Sequence, residues 1–459
     1  MNTDTIAAIA TGMTPSGIGI IRVSGEDALS IASSVFLRKN NKPVSEFEDH
    51  RAYYGYIHDR ENVLDDVILL IFKNPNSFTG EDTIEIQCHG GILVMQKILD
   101  LCIRSGARTA QPGEFTKRAF LNGKMDLSEA EAVMDVISSK NDLALKNSVR
   151  QLQGSLYHKI CDIREKILAE IAYIEAALDD PEHYDISGYP EELSDRLLVI
   201  LRDLEKLSDS FNDGKILSEG VRTVILGKPN VGKSSLLNIL AGSDRAIVTE
   251  IAGTTRDTIE EDINVGGVLM HVIDTAGIRQ SEDVVEQIGV RKALDIAAEA
   301  DLIIMVIDSS EVLSEEDEEI LQFIKKNSKK CVILLNKSDL GSVTGPKEIA
   351  CYTDNPVIII SAKDETGISD LKSFITDEYR EGYLKYNDEI FITNARQKEA
   401  LSNAVDSLLC VAKSITEHMP EDFYSIDLTA AYEHLGSIIG VSMEDDVVNE
   451  IFDRFCMGK

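Results

Sequence analysis

Residues 222–240, RTVILGKPNVGKSSLLNIL, run from an apolar strand through a glycine-rich loop into a helix, and this stretch restricts the fold more than any other. Gly227 to Ser234 fit G-x-x-x-x-G-K-[ST], a loop whose backbone wraps phosphate oxygens and which works only between a β-strand and a helix N-terminus. Such a unit belongs in a parallel sheet with crossover helices. The sequence supplies one. From about Val221 to about 380, strand-length apolar runs such as LIIMVI alternate with amphipathic helices.

The flanking texture is different. Residues 1–120 mix short apolar runs with Gly and Pro turns (TPSGIGIIRVSG, NPNSFTGEDTIEIQCHGG, QPGEF), which predicts an α+β unit. Helical periodicity follows. SEAE at 128–131 reads as a capping box opened by Ser128, and Ile160, Ile163, Ile167, Ile171 and Ile174 share one face. That helix is expected to stop near Asp180-Pro181, and the next to begin after Pro190 with Leu193, Leu197, Leu201 and Leu204 in register. Helical texture returns at NARQKEALSNAVDSLLCVAKSI. The predicted fold class is therefore multidomain: an α+β N-terminal domain (1–120), an all-α helical domain in two parts (121–215 and 381–459), and an α/β, Ras-like P-loop domain (216–380) inserted between them. Insertion is the economical arrangement because each amphipathic stripe needs a partner to bury its face; the alternative is two unconnected helical arms.

Composition narrows the class further. The chain has 459 residues, 43% hydrophobic and 27% charged, which describes a globular protein rather than a disordered one. Its apolar runs are too short for a membrane span, and MNTDTIAAIATG lacks the basic start and long apolar core of a signal peptide, so a cytoplasmic location is expected. Seven scattered cysteines without a C-x-x-C pair argue against a disulfide framework or a thiolate zinc site. The net charge of −33, most of it beyond residue 120, excludes a broad nonspecific grip on nucleic acid but leaves room for local basic patches.

Within the α/β segment, four pieces stand in a fixed order. The phosphate loop contributes Asn230, Val231, Gly232, Lys233, Ser234 and Ser235; Lys233 would neutralise β and γ oxygens and Ser234 would hold Mg²⁺. A switch loop follows with Thr249, Glu250, Ile251, Ala252, Gly253, Thr254 and Thr255, the last being the expected second Mg²⁺ ligand. Asp274, Thr275, Ala276 and Gly277 then end an apolar strand, in the position of a γ-phosphate sensor. Asn336, Lys337 and Asp339 of NKSD, with Ser361, Ala362 and Lys363 of SAK, form the base-reading end. A carboxylate at Asp339 accepts the N1–H and N2–H donors of guanine, so the nucleotide expected is GTP, and Asn336 with the Ala362 region would serve the O6/N7 side. Ile278 follows the sensor where Ras-type switches use a glutamine to orient the attacking water, so the water must be handled otherwise.

GKPNVGKSSLLN, IVTEIAGTTRD, DTAGIR, NKSD, the terminal FCMGK and the N-terminal GIGIIRVSG and SFTGED together resemble the MnmE (TrmE) family of bacterial tRNA-modification GTPases over essentially the full length. The tail departs slightly from the family pattern, with methionine where isoleucine is usual. The resemblance implies a homodimer, an N-terminal domain that binds 5-formyl-tetrahydrofolate or a related folate, and an FAD-carrying partner, MnmG (GidA). With that partner, the family installs an aminomethyl-type group on carbon 5 of the wobble uridine of tRNA. It also implies a potassium ion in the place of an arginine finger, held by Asn230, Thr249, Ile251 and Thr254, and a catalytic glutamate, Glu286, that orients water. For the folate it implies Arg22, Glu81, Lys124 and Lys459. Cys456 is a candidate reactive thiol whose alternative is a small apolar filler. The competing class is a ribosome-assembly regulatory GTPase, which shares GTTRD. Against it stand the acidic balance and the lack of a G-x-x-G RNA-reading loop in the helical C-terminal segment.

Overall fold

The computed structural model describes residues 4–38, 43–60, 62–180, 183, 188–243, 259–274, 294–327, 329–384, 391–441, 445–453, 455 and 458. These form two compact units. One comprises residues 1–137, 151–198 and 403–459; the other comprises 138–150 and 199–402.

In the first unit a seven-stranded sheet is built from β1 (Ile6–Ile9), β2 (Gly19–Ser24), β3 (Phe36–Leu37), β4 (Arg51–Asp59), β5 (Asn62–Phe72), β6 (Thr83–Cys88) and β7 (Arg108–Thr109), in the order β3-β4-β5-β6-β2-β1-β7. Only the β1–β7 pair is parallel. Alternation along β2 and β6 sends Ile21, Val23, Ile84 and Ile86 into a core shared with Ile31 and Val35 of helix Ala28–Val35 and with Met95 and Ile98 of helix Ile92–Arg104. On β1, Ile6 and Ala8 instead meet Phe115 of helix Glu114–Leu121.

The helical part of this unit follows the apolar stripes. Helix Ser155–Asp179 buries Ile160, Ile163, Ile167 and Ile174, while Ile171 is half-buried. It packs on helix Asp422–Ile438: the Arg164 guanidinium lies 4.0 Å from the centroid of the Tyr432 ring and donates to the Tyr432 carbonyl, and Ser425 donates to Glu175. Helices from the two ends of the helical sequence thus bury one another, as the insertion argument requires. One local expectation needs correction. The cap of helix Leu127–Ser138 is Asp126, not Ser128: Asp126 Oδ1 accepts from the Ser128 and Glu129 N–H groups, and Glu129 Oε2 accepts from the Asp126 N–H. A carboxylate two residues earlier forms the reciprocal box, which leaves Ser128 as a buried residue inside the first turn.

The second unit holds a six-stranded sheet, β8 (Val221–Leu226), β9 (Ile259–Val265), β10 (Val268–Asp274), β11 (Leu302–Asp308), β12 (Cys331–Asn336) and β13 (Val357–Ile359), in the order β13-β12-β11-β8-β10-β9. All pairs are parallel except β9–β10. Helices cover both faces, so the central strands read as continuous apolar runs. On β11, Leu302, Ile304 and Val306 face a core with Leu236 and Leu240 of helix Lys233–Ser243 and with Leu371 and Ile375 of helix Ile368–Leu384. Ile303, Met305 and Ile307 face Ile320, Leu321 and Ile324 of helix Glu315–Asn327. Among the described residues no helix is long and apolar enough to cross a membrane.

Candidate nucleotide-binding site

The carboxyl ends of β8, β11 and β12 converge where a doubly wound sheet places its ligands. After Leu226 the chain turns through 227–232 into helix Lys233–Ser243. Two glycines make the turn possible. A Cβ on Gly227 (φ 144°) would stand 2.3 Å from the Val306 carbonyl oxygen, and one on Gly232 (φ 104°) would stand 2.2 Å from Asn336 Nδ2. Asn230 adopts the left-handed conformation with φ 62° at the exposed crest of the loop.

Lys233 is only 6% exposed. Its ammonium donates to the Gly227 carbonyl at 2.7 Å and the Lys228 carbonyl at 2.6 Å, so the cation is held inside the curl of the loop. Ser234 and Ser235 follow exposed on the first turn of the helix, where unpaired N–H groups and the positive end of the dipole favour an anion. An exposed hydroxyl beside a buried ammonium suits a hydrated Mg²⁺ bridging to phosphate.

The base-reading residues join the same cluster. Asn336, 2% exposed at the end of β12, donates from Nδ2 to the Val231 carbonyl at 2.7 Å and accepts the Ala362 N–H at 2.9 Å. Its amide therefore ties the phosphate loop to the SAK loop. Ser361 donates to Asp339 Oδ1 at 2.8 Å and accepts from the Asp364 N–H at 3.2 Å, which fixes the carboxylate that would read guanine. Lys363 stands 4.0 Å from Asp339. Lys337, with φ 63°, pairs with Asp308 Oδ2 at 2.6 Å. Burial pushes the Asp308 carboxyl up, but Lys337 and Ser310 outweigh it and hold the group below its ordinary value.

Asp274 closes β10 next to β8. Its side chain, and Thr249, Glu250, Ile251, Ala252, Gly253, Thr254, Thr255, Thr275, Ala276, Gly277 and Glu286, lie outside the described residues. Of the four expected potassium ligands, only Asn230 is described.

In the other unit three of the four expected folate residues, Arg22, Glu81 and Lys124, lie in one region. Arg22 on β2 donates to Glu85 Oε1 at 2.9 Å, and its guanidinium is 5.6 Å from the ring centroids of Phe78 and Phe115. Ser24, two residues along the same strand, donates to Glu81 Oε2 at 2.8 Å. Lys124 lies along Gly80, beside Glu81, and donates from Nζ to the Pro75 carbonyl at 3.0 Å. A carboxylate, two cations and the exposed Phe78 ring in one place suit a ligand with a flat polar ring and an acidic tail. Sequence reasoning missed Arg118, whose side chain is 8% exposed and which contacts Glu81, Asp4 and Glu114 together. The signal was the Glu114/Arg118 spacing of four on one helix. The tail also reaches this region: Gly458 packs on the Ile9 carbonyl, which a Cβ would approach to 2.4 Å, and its own carbonyl is 3.4 Å from Arg22. Cys456 and Lys459 lie outside the described residues.

Comparison with known proteins agrees across the whole chain. Residues 5–124 match the family described as GTP-binding protein TrmE N-terminus, and residues 127–456 match the MnmE helical domain. The tRNA modification GTPase MnmE of Lachnoclostridium phytofermentans is 54% identical, with 100% of each chain covered. Those of Clostridioides difficile and Acetivibrio thermocellus are each 47% identical, with 99% of each chain covered. A family match on both sides of a complete P-loop unit, and near half identity end to end, leave one assignment: the chain belongs to the MnmE family of tRNA modification GTPases.

Proposed function

We propose that the protein hydrolyses GTP to GDP and phosphate in the cytoplasm and couples that reaction to modification of carbon 5 of the tRNA wobble uridine, as a homodimer working with the FAD-dependent MnmG. The observation that carries the hydrolytic half is the joint held by Asn336. One amide fixes the phosphate-binding curl and the base-reading loop relative to each other. Lys233, still held by its two loop carbonyls, would neutralise the β and γ oxygens, Ser234 and Thr255 would hold Mg²⁺, and Asp339 would accept both donors of the guanine edge. Ser235, Val231, Gly232, Lys337, Ser361, Ala362 and Lys363 would line the same site, with the loop 249–255 and the turn 274–277 closing over the phosphate.

Asn230 stands exposed at the crest, and a side-chain carbonyl there suits a monovalent cation shared with Thr249, Ile251 and Thr254. Potassium there would stabilise charge developing on the leaving oxygens, the role an arginine finger fills elsewhere for about 10³–10⁵ in rate. Glu286 would orient the attacking water in place of the glutamine that Ile278 replaces. Arg22, Glu81, Lys124 and Lys459 would receive a formyl-tetrahydrofolate, and Cys456 is a candidate reactive thiol.

The test is mass analysis of wobble uridines from cells lacking the gene, complemented by the wild-type chain or by Lys233→Met. The carbon-5 substituent should return with the wild type and stay absent with the variant. Full modification in cells carrying only the variant would separate the phosphate site from the reaction.

A further inference from the structure

Lys228 is the second residue of the phosphate loop, yet its side chain turns away from the crest. Its ammonium meets Asp317 Oδ2 at 3.0 Å and Glu311 Oε2 at 3.7 Å. Asp317 is fully buried on the first turn of helix Glu315–Asn327. The same Oδ2 accepts from the Ser314 N–H at 3.0 Å and the Ser314 hydroxyl at 2.7 Å, while Oδ1 is buried with no hydrogen-bond partner. Capping alone needs neither complete burial nor a charge paired across to another loop, and a carboxylate oxygen left unpaired in the interior is costly. The pair also sits at a sensitive point. The carbonyl of Lys228 is one of the two that hold the Lys233 ammonium. Burial pushes the Lys228 ammonium down, and Asp317 with Glu311 more than restores it, so the cation persists.

We propose that Lys228 and Asp317 are positioning residues for nucleotide binding: their ion pair pins the back of the phosphate loop to helix Glu315–Asn327 and so fixes the carbonyl that aims Lys233 at the phosphates. The inference rests on the nucleotide site proposed above. Without the pin the loop samples other carbonyl orientations, and the ordering of Lys233 is repaid on each binding event.

The experiment is release of a fluorescent N-methylanthraniloyl GDP from the full chain, with melting temperature measured in parallel. Wild-type protein that fails to bind the probe refutes the site itself. If it binds, Lys228→Met and Asp317→Asn should release it roughly tenfold faster, because the loop loses the pin that preorganises it. Lys228→Arg, which keeps the charge, should stay within about threefold of the wild-type rate, inside half of that interval. The double variant Lys228→Met/Asp317→Leu removes the ion pair together with the two bonds from Ser314, so it should melt lower than wild type and still release quickly. Release at the wild-type rate from Lys228→Met, or slow release restored by the apolar pair, would overturn the proposal.

Discussion

The side-chain amide of Asn336 donates to the Val231 carbonyl at 2.7 Å although 105 residues separate the two in the chain. That bond makes one object of two motifs. Because the Ala362 N–H occupies the other end of the same amide, three loops depend on a single side chain.

Asn336→Ala therefore strands a buried carbonyl and a backbone N–H. Each unsatisfied buried group costs about 1–3 kcal/mol, so the unit containing β8 should lose stability and bind GDP at least tenfold more weakly. Denaturant unfolding with calorimetric titration of GDP measures both.

Asp339→Asn replaces the acceptor pair by one acceptor and one donor. Xanthine presents N1–H beside a carbonyl in place of the guanine amino group, so the variant should favour XTP over GTP while the wild type does the reverse. Competition between the two nucleotides reads the reversal directly. Ser361 would keep the exchanged group in place, since its hydroxyl can turn to accept as well as donate.

How far the sequence foretold these features follows from their range. The helix Ser155–Asp179 was legible because Ile160, Ile163, Ile167 and Ile174 state its buried face within the segment itself. The cap of helix Leu127–Ser138 was misassigned by two positions because Asp126 and Ser128 both suit an N-cap and only the folded backbone chooses between them. Gly227 and Gly232 were visible as motif, but the reason for each lies on other strands, in the Val306 carbonyl and the Asn336 amide. Arg118 reads as a surface charge in isolation, since the partners that bury it, Asp4 and Glu81, lie far off in sequence.

Arg118→Met should destabilise the unit containing the seven-stranded sheet by about 3 kcal/mol, because removing one partner of a buried ionic cluster leaves the others unpaired. Acid should act on the same cluster. Burial pushes the Glu114 carboxyl up, but Arg108, the Gln111 N–H and Arg118 together bring it below its ordinary value of 4.5. A depressed carboxyl contributes stability that is complete above its unfolded value and disappears as pH falls toward its folded one. Melting curves should hold level above about pH 4.5 and fall below it, and Glu114→Gln should flatten that acid limb.

The central claim is hydrolysis of GTP at the loop crested by Asn230 with a monovalent cation as the activating charge. Its most direct measurement is the GTP turnover of the full-length protein in potassium chloride and in sodium chloride at equal ionic strength. Turnover should fall by at least about tenfold in sodium, and Asn230→Ala should be slow in both salts while still binding GDP. Equal, brisk turnover in the two salts would contradict the account.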